Sequence, residues 1–129
     1  MTITVHGVPA PQGSKRHVGR GVMVESSKKV KPWRQSVMWA AIESGEKFPA
    51  QVSMEVTFFF QHPKTGKRRK FHTTRPDLDK LIRSTCDALT ESGVYRDDSM
   101  VVSVLARKQY ADEASPVSAG AVITIWEAA

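Results

Sequence analysis

A chain of 129 residues has the size of one domain built on one core. Its hydrophobic share of 40% and charged share of 25% are those of an ordinary globular protein; no apolar run is long enough to span a membrane, and one cysteine, Cys86, excludes an internal disulfide. The formal charge of +6 is uneven: residues 1–34 hold seven Lys/Arg and one acid, residues 61–76 hold six Lys/Arg and no acid, and the remainder is acidic, which points to a polyanionic partner rather than an evenly solvated surface.

Residues 2–6 alternate as a short strand and lack the charged start and apolar block of a secretory signal. With the lone cysteine, this favours a reducing cytoplasm. His6 to Ser14 carries the Gly/Pro punctuation of a loop. Residues 15–25, basic and glycine-interrupted, read as a hairpin able to move. Ser26 or Ser27 is a possible cap, but Pro32 sets the expected helix start, and the helical pattern runs from Pro32 to about Gly45 with Trp33, Val37, Ala40 and Ala41 on one side.

Val52 to Phe60 alternates strictly, with Val52, Met54, Val56, Phe58 and Phe60 on one face. Residues 61–76 are too polar and Gly/Pro-marked for core. Leu78, Leu81, Ile82, Thr85 and Leu89 then mark one face of a helix that Gly93 ends. Met100–Lys108 and Ala121–Trp126 read as β-branched strands with a loop over 111–120. The order β, α, β, α, β, β predicts a two-layer α+β domain with both helices on one face of the sheet. Trp33, Trp39 and Trp126 read as core or interface residues. His6, His17, His62 and His72 show no metal-ligand spacing, and His62 and His72 are assigned to a DNA-facing loop. Cys86 reads as a small packing residue.

The chemistry concentrates between Arg75 and Ser99. Pro76 forces Arg75 into an extended conformation, which puts Asp77 at the helix N-cap and Asp79 in the first turn. Asp79, Arg83 and Asp87, at i, i+4 and i+8, form a second stripe beside the apolar one. Asp97 and Asp98 open the next strand, and if that strand packs against the helix N-terminus, Asp77, Asp79 and Asp98 converge. Clustered carboxylates repel unless a cation lies among them, and a hard divalent cation such as Mg²⁺ suits an all-oxygen set beside substrate phosphates. Each acid also has a plain structural reading: Asp77 as a cap, Asp79 as a complement to the helix dipole, the stripe as a salt-bridged solvent face, and Asp97-Asp98 as a turn. No HExxH, paired CxxC or P-loop supports a zinc-peptidase, soft-metal or NTPase reading.

The runs Arg75-Pro76-Asp77-Leu78-Asp79-Lys80-Leu81-Ile82-Arg83, Asp87-Ala88-Leu89 and Gly93-Val94-Tyr95-Arg96-Asp97-Asp98-Ser99 resemble the RusA family of Holliday-junction resolvases. The opening Gly7-Val8-Pro9-Ala10-Pro11-Gln12-Gly13-Ser14-Lys15 is similar to that of phage-borne members, and the resemblance covers nearly all of the 129 residues as one domain. It implies a mixed sheet, a homodimer, and symmetric paired nicking of a four-way DNA junction with Mg²⁺ (Mn²⁺ able to substitute) in a bacterial or phage-infected cell. It makes Asp77, Asp79 and Asp98 the metal carboxylates, with Asp97 and Asp87 supporting. The family's catalytic lysine falls on Arg83, which keeps the charge but cannot exchange a proton near neutral pH, so Arg83 is expected to stabilise the scissile phosphate. Lys80 and Met100 are further departures, where the family usually has Asn and Gln.

The resulting expectation is a structure-selective endodeoxyribonuclease of DNA recombination and repair. Lys15, Arg16, Lys67, Arg68, Arg69, Lys70 and Arg75 grip the DNA backbone. Two alternatives stay open: a branched-nucleic-acid-binding module with weak or no chemistry, and a purely structural protein, which alone predicts no salt-sensitive nucleic-acid affinity.

Overall fold

The protein is described here by a computed structural model, in which residues 1–12, 28–66 and 68–129 are placed in full and residues 15–17 and 23–25 by their backbone. The elements in chain order are β1 (Thr2–His6), β2 (Lys15–His17), β3 (Met23–Glu25), α1 (Val30–Ser44), β4 (Val52–Phe60), α2 (Leu78–Ser92), a 3₁₀ turn (Asp98–Met100), β5 (Val101–Tyr110) and β6 (Gly120–Glu127).

The alternating segment becomes β4, an inner strand. It pairs antiparallel with β6 and parallel with β5, and β1 completes the mixed sheet in the order β1-β6-β4-β5. The apolar face read from the alternation is the core face: Val52, Met54, Val56, Phe58 and Phe60 meet Ile3, Val5, Ala121, Ile123 and Ile125 from the flanking strands. Both helices cover it, α1 with Val30, Trp33, Val37 and Ala41, and α2 with Leu81, Ala88 and Leu89. The outer face carries polar pairs instead, among them Ser103–Ser53 at 2.8 Å and Arg107–Glu55 at 3.1 Å. The two-layer α+β architecture therefore follows from which strand face is apolar.

The helices are cross-linked by polar atoms inside the core. Trp33 donates from Nε1 to Thr85 Oγ1 at 3.2 Å, which explains a threonine on an otherwise aliphatic face. Ser84 donates to the Ala10 carbonyl at 2.6 Å and ties the loop after β1 to α2. At Gly120, φ is +153° and a Cβ would lie 2.0 Å from the Val5 carbonyl oxygen, so only glycine lets β1 and β6 approach there.

Several boundaries differ from the sequence reading. Helix α1 begins at Val30, two residues before Pro32, because a proline within the first turn removes an N–H that has no partner inside the helix in any case. The expected caps Ser26 and Ser27 lie outside the described residues; Lys29 occupies the cap position without a side-chain bond. The expected hairpin is formed by β2 and β3, with Lys15 opposite Glu25 and His17 opposite Met23. The strand expected at 100–108 starts at Val101, after the 3₁₀ turn, and runs to Tyr110. Trp33 is core, whereas Trp39 and Trp126 are exposed. The segment 61–76 does contribute to the interior: His72 is buried, its ring 4.4 Å from Phe60 and 4.9 Å from Tyr110, while His62 stacks on Tyr110 at 4.2 Å. Both rings anchor the loop to the sheet, His72 buried and His62 half-buried.

Candidate active site

Asp77 occupies the N-cap of α2 in an extended conformation. Its carbonyl accepts the Leu81 N–H at 3.1 Å, but its side chain caps nothing. The carboxylate stays exposed, 3.9 Å from Lys80 Nζ. Asp79 is exposed in the first turn. Two acids at a helix N-terminus are favoured by its dipole, and their oxygens are left open to solvent and ligands. From beneath, Lys108 Nζ donates to the carbonyls of Thr74 at 2.7 Å and Pro76 at 2.8 Å. The end of β5 thus holds the backbone immediately before Asp77.

Arg83 and Asp87 continue the stripe, Arg83 exposed and Asp87 half-buried. Asp98 joins this stripe at the far end of α2. It accepts a hydrogen bond from Thr90 Oγ1 and lies in hydrogen-bonding contact with Asp87. Burial, then the hydrogen bond and charge of Asp98, raise the Asp87 carboxyl above its ordinary value, and the guanidinium groups of Arg34 and Arg83 oppose that rise. Arg34, on α1, is itself paired with Glu91. Asp97 caps the 3₁₀ turn by accepting the Ser99 N–H at 2.9 Å, and hydrogen bonds from the Ser99 side chain and then its backbone lower the pKa of the carboxyl. Cys86 is pushed up to about 11, chiefly by burial, so it stays a thiol, as its packing role requires.

The two halves of the expected carboxylate set therefore lie at opposite ends of α2. Asp79 and Asp87 are eight residues apart, about 12 Å along a helix, and Asp98 sits beyond with Asp87. The chain passes from the C-terminus of α2 into β5 through residues 93–100, which include the 3₁₀ turn, so β5 starts at the C-terminal end of the helix, not at its N-terminal end. Among the described residues, no group of three or more His, Cys, Asp or Glu side chains is placed to hold a metal ion. The donor set suits a hard divalent cation, all carboxylate oxygens, but one copy of the chain does not assemble it.

Of the expected DNA contacts, Arg68, Arg69, Lys70 and Arg75 are exposed along the loop that leads into Asp77. Lys67 and the side chains of Lys15 and Arg16 lie outside the described residues. The sequence reading missed Lys108. The signal available was its parity: counted with Ala106 and Tyr110, it lies on the helix-facing side of β5, where a lysine needs a partner.

The family model described as endodeoxyribonuclease RusA matches residues 6–119. The chain belongs to that family and is an endodeoxyribonuclease. It is 31% identical over 128 residues to an uncharacterized protein YqaN of Bacillus subtilis (strain 168), covering 88% of this chain and 89% of that one. It is 35% identical over 57 residues to a crossover junction endodeoxyribonuclease rusA of Lactococcus phage r1t, covering 44% of each.

Proposed function

We propose that this endodeoxyribonuclease resolves four-way DNA junctions, using a divalent cation and working as a homodimer whose active sites each take carboxylates from both copies. The observation that carries the reading is the direct junction of an exposed basic loop, Arg68 to Arg75, with two exposed carboxylates, Asp77 and Asp79, neither buried and the first making no side-chain cap bond. Phosphates bound along the loop lead a strand onto the acids. The name of the phage relative, a crossover junction endodeoxyribonuclease, favours branched DNA as the substrate.

The separation of Asp98 from Asp79 supports the dimer. Strand β5 ends the sheet with one edge unpaired and leaves Val102, Val104 and Leu105 exposed; such an edge favours pairing with another strand. A two-fold axis at Val104 pairs β5 antiparallel with its copy. It then sets Asp98, six residues from the axis, beside Tyr110 of the second copy, at the end where Lys108 holds Pro76 and hence Asp77. Strand β5 runs opposite to α2, so the swap of strand ends brings the carboxylate halves together and gives two equivalent sites, one for each nick.

A bound cation such as Mg²⁺, or Mn²⁺ in its place, would supply an activated water and neutralise charge developing on the phosphodiester. Asp77, Asp79 and Asp98 would hold it, with Asp87 orienting Asp98 and Asp97 at its flank. Arg83, between Asp79 and Asp87 on the exposed stripe, carries a permanent charge for the scissile phosphate and transfers no proton.

Incubation of the protein with a synthetic four-way junction, with Mg²⁺ and then with EDTA, tests the reading. Paired symmetric nicks that EDTA abolishes are expected, and Asp79→Asn is expected to stop cutting while junction binding persists. Binding without nicking under any divalent metal would leave only the binding-module reading, and normal cutting by Asp79→Asn would displace the site.

A further inference from the structure

Among the described residues, Phe71 is the most exposed of the large apolar side chains, at 68%. Lone apolar residues on a surface are ordinary, but the setting of this one is not. Its neighbour His72 is buried against Phe60 and Tyr110, and a few residues on, Lys108 grips the carbonyls of Thr74 and Pro76. The stretch that carries Phe71 is thereby fixed to the ends of β4 and β5 on one side and to the start of α2 on the other. Anchoring His72 inward directs the adjacent Phe71 outward. Arg68, Arg69, Lys70 and Arg75 of the same loop are all exposed, and Lys70 Nζ lies 5.4 Å from the Phe71 ring centroid.

An aromatic face held among cations matches a polyanion that offers flat faces. The faces of bases inside a linear duplex are covered by their neighbours, whereas the pairs that end each arm at a branch point have a face to offer. Aromatic stacking on a base is sequence-tolerant and strong enough to discriminate, and apolar wedges at base steps unstack and kink DNA.

We infer that Phe71 is a branch-point wedge: its ring stacks on a base exposed at the crossover while the surrounding cations hold the phosphates, so that it selects branched over linear DNA and registers the branch against Asp77, six residues on. The inference rests on the junction-resolving function proposed above and adds the residue that recognises the branch.

Binding is measured in EDTA, where no strand is cut, for the wild type and Phe71→Ala, Phe71→Leu and Phe71→Trp, on a four-way junction and on a linear duplex of the same sequence. Phe71→Ala is expected to lose about tenfold in junction affinity and less than about twofold on the duplex. Phe71→Trp is expected to restore junction affinity and Phe71→Leu to fall short of it, since leucine has no π-face. A 2-aminopurine placed at the branch is expected to change in fluorescence on binding of the wild type and not of Phe71→Ala. Equal losses on both DNAs, no loss on either, or full rescue by leucine would overturn the wedge. So would a change in oligomeric state in Phe71→Ala, which would make the ring a protein contact. A wild type that nicks junctions while Phe71→Ala discriminates as well overturns this inference alone; a wild type that binds neither DNA overturns the resolvase reading as well.

Discussion

The ammonium of Lys108 lies 2.8 Å from the carbonyl oxygen of Pro76, the residue that precedes Asp77. The C-terminal part of β5, through this side chain, therefore holds the backbone that leads into the candidate site. A second bond from the same nitrogen, to Thr74, leaves the ammonium little freedom, and its charge also disfavours protonation of His72.

Removing the ammonium should displace Asp77 more than it destabilises the fold. Lys108→Met takes a donor from the exposed Thr74 carbonyl and the part-buried Pro76 carbonyl, both within reach of water, a loss of roughly 0.5–1.5 kcal/mol, or a few degrees in Tm at this size. Nicking of a four-way junction in Mg²⁺ is expected to fall about tenfold or more, with junction affinity in EDTA retained and Lys108→Arg recovering part of the rate. A variant that cuts at the wild-type rate would show that Asp77 does not need this support.

His72 sets an acid limit on the loop that carries the basic residues. Burial, then the charge of Lys108, lowers its pKa below the ordinary 6.5. The unfolded chain therefore takes up a proton near 6.5 while the folded one resists until lower pH, so the unfolded state binds more protons in that window and stability falls as pH drops through it. Thermal unfolding between pH 7.5 and 5 is expected to show a declining Tm in the wild type and a flatter profile in His72→Phe. An equal decline in both would place the acid sensitivity elsewhere.

A charge at the centre of the β5 edge should separate the copies without unfolding them. Val104 and Leu105 are exposed in one copy, and lysine on an edge strand blocks strand pairing. Val104→Lys with Leu105→Glu is expected to give a folded monomer by light scattering at micromolar concentration, with nicking lost and wild-type secondary structure by circular dichroism. A monomer that still nicks would refute shared sites.

The sheet, its core face and both helices were legible because each is a strong periodic signal: alternation in Val52–Phe60, and Leu78, Leu81, Ile82, Thr85 and Leu89 on one helix face. The start of α1 was misplaced because a proline in the first turn looks the same in sequence whether it begins the helix or follows its beginning. Asp77 and Asp79 were legible as open acids at a helix start. The position of Asp98 was not, since Asp97 and Asp98 read as the opening of a strand that runs back to the helix N-terminus, whereas they form a cap and a 3₁₀ turn held against Thr90 and Asp87 near the C-terminal end of α2. His72 was misjudged for the same reason: a polar loop was read as solvent-facing, while the ring inserts beside Phe60 and Tyr110.

Mixed dimers test the shared site most directly. Asp79→Asn and Asp98→Asn chains, co-expressed with different tags and purified as the heterodimer, carry one site in which both halves are altered and one in which both are intact, if each site draws Asp79 from one copy and Asp98 from the other. Each homodimer alone is expected to be inactive on a four-way junction in Mg²⁺, and the heterodimer is expected to recover single-strand nicking at about half the wild-type rate. A heterodimer as inactive as its parents, beside an active wild type, would contradict the account, because it would mean that each copy supplies all of its own carboxylates.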